Sequence, residues 1–200
     1  MNKFSKNDVF LVATHNKGKA EEFKDLFSSI GVATLFSSEF KIAEPEETGT
    51  TFKQNSIIKA RSCSNLGYNV ISDDSGLCVE CLKGKPGIFS ARWSKKYGGW
   101  YNAMNFIYQK ILETKSNNFA AKYYCVLSIL WKDGSIKTYS GSIVGSIVWP
   151  PRGLNGFGYD PFFQPVGGKK TFGEMQRQKK MSIDHRSVAF KKILKHHYLY

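Results

Sequence analysis

Long apolar runs are missing from this 200-residue chain. No stretch approaches the roughly 18 consecutive apolar residues that a membrane-spanning helix needs, so no membrane partner is expected. Acidic residues are scarce too, 16 Asp plus Glu against 29 Lys plus Arg, which leaves a formal net charge of +13. That balance disfavours cationic partners and favours anionic ones such as nucleotides, nucleic acid or acidic surfaces. Plain solubility is the blander account of the same charge. The basic residues form no arginine-rich tail and no long cluster, which favours a small anion over a stable nucleic-acid partner.

Cysteine is equally sparse: Cys63, Cys78, Cys81 and Cys125. Cys78 and Cys81 have C-x-x-C spacing, but no second pair and no H-x-x-x-H partner exists to complete a tetrahedral zinc site. Cys81 runs into Leu82-Lys83-Gly84, a turn, rather than the helix a redox pair would open. Buried reduced thiols are the expectation. Repeats and low-complexity linkers are also absent, and the length suits a single domain over residues 1–200 with a sizeable core. The start, "MNKFSKNDVFLVATHNKGK", has only a short apolar run and no small-residue cleavage site. It reads as a first strand, and a cytoplasmic location is the default.

What is present is a mixture of strand and helix patterns. "VFLVAT", residues 9–14, reads as a buried strand running into the loop "HNKGK". Apolar residues at Ala20, Phe23, Leu26, Phe27 and Ile30 predict a helix stopped by Gly31. An acidic loop, "AEPEETG" at 43–49, precedes a helix starting at Thr50 or Thr51, with Phe52, Ile57, Ala60 and Cys63 on one face. "YNVIS" is a second short strand, expected to deliver Asp73 and Asp74 at its carboxyl end. A third helix is expected over 98–113, with Trp100, Met104, Ile107 and Ile111 inward.

Further on, "AKYYCVLSILW" is apolar on both alternating faces, as in a central strand. Asp133-Gly134 marks a hairpin turn, and "SIKTYSGSIVGSIVW" returns antiparallel until Pro150-Pro151. A glycine-rich loop, "RGLNGFGYDPFF", then "GGKKTFGEM", lead to a final helix around 187–197 bearing Ala189, Phe190, Ile193 and Leu194. The class is α/β with a mixed sheet.

Four clusters carry chemistry. "THNKGK" joins a strand to a helix through Thr, Asn, Gly and two lysines. Exposed backbone N–H groups at a positive helix end suit a phosphate. The loop matches neither the Walker A pattern nor G-x-G-x-x-G, and an ordinary strand-to-helix turn is the competing account. The second cluster is acidic: Glu46 and Glu47 in the loop, Asp73 and Asp74 on the strand. Carboxylates in a chain that otherwise attracts anions suggest magnesium, which bridges one or two carboxylates to substrate phosphates. The alternative is an Asp-Ser-Gly turn and a solvated loop. In the third, "GFGYDP" at 156–161, Phe157 can stack on a purine and glycine-exposed backbone can read its edge, or the segment is a tight turn. The fourth, "KKMSIDHR" at 179–186, offers Lys180, His185 and Arg186 as donors for a phosphate or carbonyl oxygen, or a basic helix cap.

Taken in order, "ATHNKGKAEEF", "EETGTTFKQNSIIKAR", "SDDSGLCVECLKGKPGIFSAR", "GFGYDPFF" and "HRSVAF" resemble the inosine triphosphate pyrophosphatase family (dITP/XTP pyrophosphatases) from about residue 9 to 195. The resemblance implies an elongated mixed β-sheet flanked by helices, with two lobes and a central substrate cleft. It implies a homodimer that uses Mg2+ to hydrolyse ITP, dITP and XTP to the monophosphate and pyrophosphate. By the same carry-over, Thr14, His15, Asn16, Lys17, Gly18 and Lys19 hold the triphosphate, with Lys59 also on phosphate and Ser75 on substrate. Phe157, Gly158, Tyr159 and Asp160 line the base pocket, completed by Lys180, His185 and Arg186. Asp74 is implied as proton acceptor and metal ligand, with Glu46, Glu47 or Asp73 as supporting ligands. The chain departs from the pattern at Asp184, where serine is usual before His-Arg, at Met181, where asparagine is common, and at Arg177, where an acidic residue is expected. The competing function is a non-catalytic nucleotide or nucleic-acid binding protein. It predicts salt-sensitive oligonucleotide binding without metal-dependent turnover.

Overall fold

The computed structural model describes residues 2–199. Six strands form one mixed sheet in the order β2-β1-β3-β4-β5-β6. They are β1 Val9–Ala13, β2 Ala33–Phe36, β3 Asn69–Val79, β4 Ala120–Leu130, β5 Ile136–Ile147 and β6 Phe163–Pro165. β1 runs parallel to both β2 and β3, with Phe10 opposite Thr34 and Asn69, while β6 is antiparallel to β5. Among the described residues six α-helices accompany them: α1 Lys17–Ser28, α2 Phe52–Arg61, α3 Ser90–Lys96, α4 Trp100–Glu113, α5 Arg177–Met181 and α6 His185–His197.

The chain forms two compact units. The first takes the chain up to Asp74, Cys125–Gly141 and the residues from Arg186 on. Its core packs Phe10 and Val12 of β1 and Ile71 of β3 against Phe23 and Phe27 of α1 and Phe190 and Ile193 of α6. Each such side chain, fully buried, contributes about 1.5–3 kcal/mol. The second takes Ser75–Tyr124 and Ser142–His185. Leu77 and Val79 of β3 pack there with Ala103, Ile107 and Ile111 of α4 and with Phe162, Phe163 and Phe172. Among the described residues no helix is long and apolar enough to cross a membrane.

Three expectations need correcting. β3 does not end at the aspartate pair: it runs 11 residues, with Asp73 and Asp74 in its middle. Ser75-Gly76 looks like a turn, yet Leu77 and Val79 beyond it are wholly buried and continue the strand. Gly76 is needed there, because a Cβ would sit 2.1 Å from the Gly87 carbonyl oxygen. The helix expected over 98–113 begins at Trp100, and a separate helix, α3, precedes it. Gly98 and Gly99 between them take φ of +76° and +123°, values that break a helix and favour glycine. β2 and α5 were not anticipated. On α2 the expected face is half right: Ala60, and Cys63 just past the helix end, are buried, but Phe52 and Ile57 are only half-buried and Asn55, Ser56 and Lys59 turn inward instead. Much of its inward face is polar, so hydrophobic periodicity alone found only part of it.

Candidate active site

The loop leaving β1 enters α1 through Asn16, whose Oδ1 accepts the Lys19 backbone N–H at 3.0 Å and caps the helix. Buried Thr14 accepts the Asn16 N–H on its Oγ1 at 3.2 Å. His15 is exposed and donates from Nε2 to the Ile42 carbonyl at 2.8 Å, which fixes its tautomer. Lys17 is exposed and Gly18 half-buried. One turn in, Lys19 places its Nζ 2.9 Å from Oδ1 of Asp73.

The pleat sends neighbouring side chains to opposite faces, and this separates the two aspartates. Asp73 accepts from Nη2 of Arg186 at 2.8 Å, and Nη1 of the same guanidinium binds Glu22 of α1. Asp74 faces α2. Lys59 Nζ lies 2.6 Å from Glu47 Oε1 and 3.5 Å from Asp74 Oδ1, while Asn55 Nδ2 donates to Asp74 Oδ2 at 3.2 Å. A line of hydroxyls seats α2. Ser72 donates to the Ser56 carbonyl at 2.6 Å, and the Ser56 and Ser128 hydroxyls are 2.7 Å apart.

The two carboxyls differ electrically. Burial pushes Asp73 up, but Arg186, Lys19 and Lys59 outweigh it and hold the group well below the usual carboxylate range. Burial also pushes Asp74 up, and there the pull of Lys59 and Lys19 is too weak to reverse it, with Glu47 and Asp73 adding repulsion. Lys59 is buried, which favours its neutral form, yet Asp74, Asp73 and Glu47 raise it above the ordinary lysine value. The group holds three cations (Lys19, Lys59, Arg186) against four carboxylates (Glu22, Glu47, Asp73, Asp74). Asp74 has the longest ion-pair contact of the group, 3.5 Å to Lys59, against 2.9 and 2.8 Å for the two at Asp73.

The same distances bear on which residues fit a divalent cation. Among the described residues no three Asp, Glu, His or Cys side chains gather into a ready-made cage. Magnesium needs none, since one or two carboxylates suffice when phosphate oxygens and water complete the shell. Asp74 and Glu47 converge on one point through Lys59 and supply hard oxygen donors there. Asp73 is committed to two cations, and Glu46 lies exposed on the loop.

The second unit holds its own cluster. Asp160 Oδ2 accepts the Phe157 N–H at 2.8 Å and lies 2.5 Å from Lys180 Nζ. Gly156, at φ +74°, makes this approach possible, because a Cβ there would sit 2.1 Å from Asp160 Oδ2. The Lys180 ammonium lies 4.6 Å from the Phe157 ring centroid and 5.5 Å from that of Phe172, a cation–π arrangement. Tyr123 donates to Asp160 Oδ1 at 3.4 Å, and its ring stacks on His185 at 4.8 Å and 7°. Tyr159 is buried, donates to the Ser90 carbonyl at 3.1 Å and has its phenol pushed up by burial. Gly158 approaches Trp100, and Ser75 sits half-buried on β3.

The nominated residues thus group as Lys19 with Asp73 and Arg186, Lys59 with Glu47 and Asp74, and Phe157 with Asp160 and Lys180. Sequence reasoning missed Glu22, Asn55 and Tyr123. Glu22 did leave a signal, since it falls on the same helical stripe as Phe23, Leu26 and Phe27. A charge on an apolar stripe calls for a buried partner.

A family model described as the Ham1 family matches residues 10–196. A dITP/XTP pyrophosphatase of Agrobacterium fabrum is 40% identical, over 93% of this chain and 94% of its own. One from Ruegeria pomeroyi is 41% identical, over 94% of each. A solved HAM1 protein from Coxiella burnetii superposes with a TM-score of 0.84 at 30% identity, covering 94% of this chain and 97% of that one. This chain belongs to the Ham1 family.

Proposed function

We propose that this chain is a nucleoside-triphosphate pyrophosphatase that hydrolyses ITP, dITP and XTP to the nucleoside monophosphate and pyrophosphate, with Mg2+ as cofactor. The observation that carries the reading is Asp74, a buried and under-neutralised carboxylate beside Lys59 and Glu47, in a chain whose relatives are named dITP/XTP pyrophosphatases.

The N-terminus of α1, with Thr14 to Lys19, receives phosphate through its backbone N–H groups and lysines. Lys59 neutralises phosphate charge beside Asp74, each charge-assisted hydrogen bond contributing about 1.5–3 kcal/mol. Water attacks the α-phosphorus: the new P–O bond forms, the bond to the bridging oxygen breaks, and pyrophosphate departs with that oxygen. Asp74 orients the water and accepts its proton. Asp74 and Glu47 would hold Mg2+, which would supply neutralisation of the phosphate oxygens. Asp73 and Arg186 support this site indirectly, by fixing β3 against α1.

Phe157 stacks on the base and Ser75 contacts the substrate. Lys180 and His185 offer donors. An ammonium donates only, so Lys180 matches the 6-oxygen of hypoxanthine or xanthine and opposes the 6-amino group of adenine. Such mismatches discriminate by up to about 10⁴–10⁵. The chain acts as one catalytic domain, in the cytoplasm, as a homodimer whose mass sedimentation would measure.

The test is incubation with ITP, XTP, dITP, ATP and GTP, with and without Mg2+, and identification of products. Monophosphate plus pyrophosphate, chiefly from ITP and XTP and lost in Asp74→Asn, is expected. Absence of turnover of every nucleotide would leave only a binding protein.

A further inference from the structure

Asn55 is wholly buried in the first turn of α2, although it carries a polar amide. Both ends of that amide are used. Its Oδ1 accepts the Gly49 backbone N–H at 2.8 Å, and its Nδ2 donates to Asp74 Oδ2 at 3.2 Å. The orientation is fixed by chemistry, because a backbone N–H only donates and an ionised carboxylate only accepts. Gly49 belongs to the loop that carries Glu47 two residues earlier. The loop is held at a second point, where Gln54 Oε1 accepts the Thr50 N–H at 2.8 Å and the Thr50 hydroxyl at 2.9 Å. Gly49 approaches so closely that a Cβ would sit 2.6 Å from Asn55 Oδ1 and 2.6 Å from Gln54 Cβ. One side chain therefore ties the glutamate loop and the strand aspartate to the same helical turn.

We propose that Asn55 is a positioning residue that sets the separation of Glu47 and Asp74, and with it the affinity of the site for the divalent cation. The proposal rests on the pyrophosphatase reading for the cation's role, but the tether stands on geometry alone. Lys59 cannot perform the same task. Its flexible stem follows whichever carboxylate moves, whereas a short planar amide with two fixed partners holds a distance.

Three variants test this: Asn55→Ala, Asn55→Asp and Gly49→Ala. Hydrogen exchange of the 46–52 segment is measured by mass spectrometry in metal-free, nucleotide-free protein. The Mg2+ concentration for half-maximal ITP turnover is measured alongside, with kcat and KM for ITP at saturating Mg2+. Asn55→Ala is expected to speed exchange at Gly49 at least tenfold and raise the half-saturating Mg2+ about tenfold. KM for ITP at saturating Mg2+ should stay within about twofold.

Asn55→Asp keeps an acceptor for Gly49 but sets carboxylate against Asp74. It is expected to keep the loop protected while still changing the Mg2+ requirement. Gly49→Ala attacks the same contact from the loop side and serves if the buried substitutions do not fold. Unchanged exchange in both Asn55→Ala and Gly49→Ala would overturn the tether. Faster exchange with an unchanged Mg2+ requirement would overturn the positioning role. If the unaltered protein turned over no nucleotide, the pyrophosphatase reading and the cation role would both fall, and exchange alone would still decide the tether.

Discussion

Arg186 offers the sharpest test of how this site is held. Its side chain is 1% exposed, and its two terminal nitrogens bind Asp73 and Glu22, whose side chains are 0% and 6% exposed. Replacing it in Arg186→Met keeps an apolar stem of similar length and removes the charge. Glu22 then loses its guanidinium partner, and Asp73 loses one of its two ion pairs, keeping Lys19 at 2.9 Å and the weaker pull of Lys59. Breaking a buried ion pair from one side costs about 3–5 kcal/mol, because a carboxylate is left buried and uncompensated. For a chain of this size each kcal/mol moves Tm by about 2–4 °C, so a fall of about 6–20 °C is expected. The assay is urea unfolding at pH 7 with thermal scans alongside, taking a changed midpoint with unchanged m as the signature. Adding Glu22→Gln and Asp73→Asn to Arg186→Met should recover part of the loss, since both carboxylates are then neutral and only Lys19, whose side chain is 15% exposed, gives up its ion pair. Arg186→Lys should fall between, because a point charge cannot fork to two carboxylates. A loss below about 1 kcal/mol, typical of an unremarkable substitution, or no recovery on neutralisation, would refute the reasoning.

Other outcomes follow from the same geometry. Asp73 is held low in the fold, so its stabilisation is complete above the unfolded value of about 3.9 and is lost as pH falls toward the lower folded value. Urea stability should therefore drop below pH 4 in the unaltered protein and drop less steeply in Asp73→Asn; equal slopes would sink this. Asp74 is raised and must be ionised to act, so the acid limb of kcat/KM for ITP should lie above about 3.9. Lys59→Met should move that limb higher still, since Lys59 opposes the rise; a limb that stays or falls speaks against the assignment. Gly76→Ala puts a methyl 2.1 Å from the Gly87 carbonyl oxygen and 2.5 Å from Ser90 Oγ. It should cost about 1–3 kcal/mol or more in denaturant unfolding.

Much of this was legible in the sequence. β1 and α1 are announced by a short apolar run and a 3.6-residue stripe ending near Gly31, both local signals. α2 is expected to start at Thr50 or Thr51, but only Ala60 and Cys63 of its expected face are buried, because Asn55, Ser56 and Lys59 are driven inward by partners on β3, β4 and the 43–50 loop rather than by hydrophobicity. β3 was cut short for the same kind of reason. "DDSG" is turn-forming by local preference, and only the burial of Leu77 and Val79 carries the strand through it.

The sequence by itself determined the mixed α/β class, the strand-to-helix loop between β1 and α1 and the presence of two adjacent aspartates. Only the tertiary structure decided what each aspartate is. The pleat turns Asp73 toward Lys19 and Arg186, where cations hold it ionised, and Asp74 toward Lys59 and Glu47, where burial outweighs attraction. Two identical residues side by side acquire different chemistry because their neighbours come from distant parts of the chain.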